Sequence, residues 1–179
     1  MTEQERKNKF ILLIEQHIGL LDASFLVNGL DQMGYFTAPA SANHHGNYEG
    51  GLFDHSWAVM EALVELTEEL GLKWDRDESP YLVGLLHDVC KCSAYIYNEE
   101  TKSWEYNKNI IMPGHGEKSV ILAQQLIGLT TEEILCIRWH MGAYDDKENW
   151  NILGRAIEHC PNVLYTHTAD MIASRVNGI

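Results

Sequence analysis

Apolar positions along this chain recur mostly at intervals of three and four, the spacing of helices that turn one face to a core. Phe10, Leu13, Ile14 and Ile18 keep that spacing behind Thr2 and Glu5, a Thr-x-x-Glu capping box, and predict a first helix to about residue 20. A short helix over about 23–33 follows and stops at Gly34. From 52 to about 70, Trp57, Met60, Leu63, Val64 and Leu66 mark an inner face and Glu61, Glu65, Glu68 and Glu69 an outer one, with Gly71 as the stop. Ser79 and Pro80 open a fourth helix, because proline suits the first helical position, and His87 and Asp88 fall near its end. Further helices are expected over about 114–127, over 131 to about 141 with Glu133 in the capping-box position, around 150–159, and over 162 to about 176.

Two stretches break the helical period. Residues 94–106 alternate large apolar and polar side chains on both sides of a polar turn, which predicts a small β-hairpin and the only sheet. Residues 34–51 are rich in Gly, Ala, Ser and Asn and have no period, so they read as a long loop that is either functional or mobile. No repeat or Gly/Ser linker divides the chain, and residues 1–179 are expected to form one domain. The fold class is all-α, a helical bundle with one small β-hairpin near 94–106.

A chain of 179 residues can bury roughly two thirds of its unfolded surface in one core. It needs no metal to fold, so a metal site here is expected to be catalytic rather than structural. The first twenty residues lack the pattern of a signal peptide, and no apolar stretch approaches membrane-spanning length, so the expected location is cytoplasmic with no membrane partner. Cys90, Cys92, Cys136 and Cys160 show no zinc-knuckle spacing and read as ordinary thiols. The net charge of −13, from 26 acidic and 13 basic residues, argues against a surface that gathers polynucleotide by counterion release. A small phosphorylated partner fits better, with homo-oligomer formation left open. Trp74, Trp104 and Trp150 lie in or beside expected loops, where they either mark a partner surface or pack the core.

Nine histidines exceed an average composition, and position separates them. His17 and His159 read as surface or cap residues. His87 and Asp88 end the apolar run YLVGLL, where a charged carboxylate is costly unless it is paired or bound to a cation. Two readings stand at this point: a metal site, or an Asp88 that caps the following turn beside a satisfied core histidine. Asp170 repeats the situation inside the apolar last helix, and His55 lies in the first turn of the helix that starts near 52. A mixed set of imidazoles and carboxylates suits a borderline divalent ion.

The order of a lone His in GGLFDHS, an adjacent His-Asp in LLHDVCK and a late Asp in HTADMIASR resembles the HD superfamily over roughly residues 50–175. The resemblance implies His55, His87, Asp88 and Asp170 as metal ligands. His115 in MPGHGEKS and His140 in IRWHMGAYD are implied as ligands of a second metal, with Asp88 bridging; the alternative is a mononuclear site in which these two histidines contact substrate. The cofactor is then one or two divalent ions per chain, from among Mn, Fe, Co, Ni, Zn and Mg. The loop NHHGNYEGG looks like the approach to the metal helix in bacterial HD exoribonucleases, and on that likeness His44 and His45 line the mouth of the site; as polar loop residues they need do nothing.

The resemblance implies a phosphohydrolase that cleaves a phosphate ester or phosphodiester of a small nucleotide by metal-activated hydroxide. Asp88 is the central catalytic residue, and Lys91, three residues on, offsets charge on the phosphate. Lys118, Ser119 and Arg175 are candidates for phosphate contact, each with an ordinary role in solvation or capping as the alternative. Asp145 either orients water or sugar or stabilises a surface turn. Two other functions compete: a 3′-5′ exonuclease or similar nucleic-acid phosphodiesterase, suggested by the loop, and a non-catalytic HD binding module.

Overall fold

Thr2 accepts the Glu5 N–H at 3.3 Å through its hydroxyl, while the Glu5 carboxylate takes the Thr2 N–H at 2.7 Å, so the first helix starts at the capping box read from sequence. The structure, a computed structural model, describes residues 1–18, 20–44, 46–112 and 114–179. Among these the helices are α1 (Glu3–His17), α2 (Leu20–Met33), α3 (Gly51–Leu70), α4 (Ser79–Leu86), α5 (His115–Gln124), α6 (Thr131–Trp139), α7 (Trp150–His159) and α8 (Asn162–Met171). Two antiparallel strands, β1 (Tyr95–Asn98) and β2 (Ser103–Tyr106), form the hairpin, with Tyr95 opposite Tyr106. The fold is all-α apart from this ribbon.

Several boundaries differ from the periodic pattern. The first helix ends at His17 and the second begins at Leu20, earlier than expected in both cases. The last helix leaves α geometry after Met171 and finishes as a wider π turn over Ile172–Val176. The fourth stops at Leu86, and a tight 3-10 turn over Val89–Ser93 takes its place. Apolar spacing continues through such changes of pitch, so it does not mark them.

Helix α3 lies at the centre, packed against α4 on one side and α8 on another. Gly84 allows the α3–α4 approach, since a Cβ there would overlap the Met60 backbone. Phe10, Tyr35, Phe36, Phe53 and Trp57 form an aromatic group with neighbouring rings 5.3–6.2 Å apart. Two members, Tyr35 and Phe36, come from the stretch 34–51, read from sequence as a long loop that is either functional or mobile. That loop is anchored: Tyr35 Oη donates to Leu85 O at 2.7 Å, and the buried Arg6 guanidinium donates to Phe36 O at 3.3 Å and Glu49 O at 2.9 Å. Main-chain bonds from Ala40 to Gly46 and from Leu52 to Ala38 close it further. Its function is therefore partly to fill the core, and it delivers α3 at a fixed angle.

Glu133, fully buried at the start of α6, accepts from Arg76 Nε and Nη2 at 2.8 Å each, from Ser79 Oγ at 2.8 Å and from Thr130 N–H at 2.8 Å. It ties the start of α4 to α6. Trp74 donates to Thr67 Oγ1 at 3.0 Å, Trp104 packs on Tyr97, and Trp150 is 45 % exposed. Among the described residues no helix is long and apolar enough to cross a membrane.

Candidate metal centre

Five helix ends or turns deliver six side chains to one place. His55 comes from one turn inside α3, His87 and Asp88 from the end of α4, His115 from the first residue of α5, His140 from just past α6, and Asp170 from the last turn of α8. Asp88 sits where α4 gives way to the 3-10 turn, with φ −110°, and its side chain makes no capping hydrogen bond. The capping alternative left open by the sequence therefore does not hold. The Asp88 carboxylate lies at the middle of the group. Its Oδ2 is 3.4 Å from His55 Nε2, 3.3 Å from His87 Nε2 and 2.6 Å from Lys91 Nζ. Its Oδ1 is 2.6 Å from His115 Nε2 and 3.5 Å from His140 Nε2. Asp170 Oδ1 reaches His55 Nε2 at 3.3 Å. Imidazole rings follow one another at 5.3, 4.9 and 5.2 Å from His55 through His87 and His140 to His115.

Hydrogen bonding on the far side of these rings sets their chemistry. His87 Nδ1 lies 2.8 Å from Gly84 O, His140 Nδ1 2.7 Å from Ile137 O and His55 Nδ1 3.0 Å from Ile179 O. A ring nitrogen against a carbonyl oxygen must donate, so in the neutral ring the lone pair falls on Nε2. Both His87 Nε2 and His140 Nε2 are buried without a hydrogen-bond partner. Each points at a carboxylate oxygen that also carries lone pairs, an arrangement that is repulsive unless a positive charge comes between them. Buried, orphaned nitrogens beside two carboxylates are the donor set a divalent cation requires, and the residues present fit one. His55, His87 and Asp170 offer ligand atoms within 4.8 Å of one another, as do His87, Asp88 and His140, and Asp88, Cys90 and His115.

The electrostatics agree. Burial opposes the charge on Asp88, but Lys91, His87 and His115 outweigh it and hold its carboxyl well below the usual range. Burial likewise opposes the charge on Asp170, and the hydrogen bond to His55 overcomes it and keeps that carboxyl low. Burial favours neutral His55 and His115, yet Asp170 and Asp88 raise the first to about 9 and Asp88 raises the second to about 10. Burial prevails at His140 and lowers it, which leaves its Nε2 lone pair free to bind a cation.

Two recesses open from the centre. A small one of about 140 Å³ is lined by His55, Asp88, Lys91, Tyr144, Asp170 and Arg175 among others, with room for about four or five water molecules. A larger cleft of about 540 Å³ is bounded in part by Ser41, His44, Lys91, His115 and Lys118. Lys91 and Met141 belong to both. Lys91, Lys118 and Arg175, the candidates for phosphate contact, lie on these walls. Ser119 does not: it is fully buried and its Oγ accepts the Cys90 N–H at 3.3 Å, because it faces inward from α5 while Lys118 faces out. His45 lies outside the described residues. Asp145 accepts from Arg138 at 2.6 Å and from Asn149 at 2.9 Å, which makes it a turn residue. His17 stacks on Tyr81 at 4.1 Å, and His159 is exposed.

Cys90 is the residue that sequence reasoning missed. Its Sγ lies 3.1 Å from His115 Nδ1, where the other three rings have a main-chain oxygen. Only the fold brings these two residues, 25 apart in the chain, into contact.

A family model described as HD domain matches residues 52–172, which contain all six clustered side chains. Among curated proteins, the dihydroneopterin 2′,3′-cyclic phosphate phosphodiesterase of Methanocaldococcus jannaschii is 31% identical over 110 residues, 56% of this chain and 40% of the relative. The chain therefore spans well under half of that protein's length. No solved structure matches it.

Proposed function

We propose, from the premise that this chain belongs to the HD domain family, that it is a metal-dependent phosphohydrolase acting on a small nucleotide-like phosphate ester or phosphodiester. The observation that carries the reading is the division of Asp88: one oxygen faces His55 and His87, the other His115 and His140. A carboxylate so divided can bridge two cations, with Asp170 serving the first position. His55, His87, Asp88 and Asp170 would hold one ion, and Asp88, His115 and His140 a second.

A divalent ion in such a site lowers the pKa of water toward about 7 and offsets charge on the phosphoryl oxygens. The protein's own groups do the rest. Hydrolysis forms a bond from water oxygen to phosphorus and breaks the ester P–O bond, the leaving oxygen ending protonated. Lys91, on the wall of both recesses, would neutralise charge that builds on the phosphate, and Lys118 on the larger recess and Arg175 on the smaller would add further cations. The nearly complete burial of His87, Asp88 and His140 keeps bulk water from screening these charges.

The cleft volume and the net charge of −13 support a small substrate over a polynucleotide. The relative from Methanocaldococcus jannaschii is named for opening a cyclic phosphate of a small molecule, which supports the reaction class. A direct test strips the protein of metal and resupplies Mn, Co, Mg, Ni or Zn in turn against nucleotides and cyclic phosphodiesters. Phosphate-ester cleavage that depends on the added ion is expected; silence with every ion would contradict the proposal.

A further inference from the structure

The hairpin packs mainly on itself and on the turn over Val89–Ser93, and half of its strand residues are exposed. Tyr95 and Tyr106 face each other across the two strands with ring centroids 5.2 Å apart, and Tyr106 is 62 % exposed. The chain that follows carries Ile110 and Met112, each 40 % exposed. Tyr95, Tyr106, Ile110 and Met112 line the same 540 Å³ cleft that contains Cys90, Lys91 and His115, so one cavity runs from this apolar surface to the metal centre. Its size falls within the range of pockets that enclose small molecules. Lys118 adds a second ammonium; it bonds Ser93 Oγ at 2.8 Å and pairs with no carboxylate among the described residues.

Contiguous exposed aromatic and apolar side chains signal a missing partner. Here that partner also meets Lys118, which has no carboxylate partner among the described residues, Lys91, which is paired with Asp88, and the candidate cation site at the other end of the cavity. A phosphate joined to a flat aromatic ring meets both demands: tyrosine faces stack on a ring system whatever its substituents, and the ammonium groups take the anion. We propose that the wall formed by Tyr95, Tyr106, Ile110 and Met112 is the subsite for a heteroaromatic ring of the substrate, a nucleobase or a ring of similar size, with the attached phosphate directed to Lys91 and the metal centre. This deepens, and rests on, the phosphohydrolase reading. It assigns the hairpin to recognition and the helices to chemistry.

Compounds that bind but resist hydrolysis separate this inference from the activity. Manganese-loaded protein is titrated with adenosine and cytidine phosphonates, with the ribose phosphonate that lacks a base, and with octyl phosphonate. Ring-bearing compounds should bind at least ~10-fold more tightly than the ring-free one, the scale of stacking on one aromatic surface. Tyr106→Ala should remove most of that preference and leave binding of the ribose phosphonate as it was. Met112→Ser, on the loop rather than the hairpin, should reduce the preference without disturbing the strand pairing. Equal binding with and without a ring, octyl phosphonate binding as tightly as the nucleoside compounds, or an undiminished preference in both variants would each overturn the proposal. A silent hydrolysis screen would defeat the activity and leave the ring preference readable.

Discussion

Glu133 and Asp88 are both carboxylates buried at helix junctions, and their surroundings differ in kind. Glu133 meets a bidentate guanidinium from Arg76, the Ser79 hydroxyl and the Thr130 amide, so each of its oxygens faces protein donors. Asp88 meets Lys91 and four imidazoles, two of which present an unpartnered Nε2. The first group is complete without anything from outside and holds two helices together. In the second, Lys91 and His115 already donate to the carboxylate, and what stays unsatisfied is the pair of buried imidazole nitrogens, which a cation would engage. Burial alone thus does not distinguish a structural hub from a functional site; the unsatisfied atoms do.

The contrast can be broken in both directions. Asp88→Asn should cause the largest loss, at least ~10³-fold in ester turnover, because it removes the charge that the two proposed ion positions would share. Its circular dichroism should match the parent; unfolding in this variant would mean that Asp88 is structural after all. Arg76→Ala should do the opposite. It leaves Glu133 buried beside fewer donors, so chemical denaturation should show a loss of about 2–4 kcal/mol, with metal content per folded chain unchanged. His140→Ala should have the mildest effect, weakening one ion position by ~10–100-fold in a calorimetric metal titration while the other keeps its affinity. Loss of both positions together would show that Asp88 does not divide its oxygens between two ions.

Much of this arrangement was legible in the sequence because its causes are local. The capping boxes at Thr2 and Thr130 lie within four residues, and the His87–Asp88 pair stood out because YLVGLL leads a carboxylate into a core. What stayed hidden depends on distant neighbours. The loop over 34–51 carries no local sign of being anchored because Arg6 reaches across 30 and 43 residues to hold it. Ser119 was misread because adjacent residues on a helix point about 100° apart, and the step from Lys118 turns Ser119 into the core, where it meets the Cys90 N–H. Cys90 gained its meaning only from His115, and the ring-binding surface only from the placement of a hairpin beside a cleft.

Equilibrium dialysis of metal-stripped protein against Mn²⁺ tests the central claim most directly, with Asp88→Asn dialysed alongside. The parent chain should take up one or two ions per chain and the variant neither with comparable affinity. A parent that binds no ion, or a variant that binds as many as the parent and as tightly, would contradict the metal centre and with it the chemistry built on it.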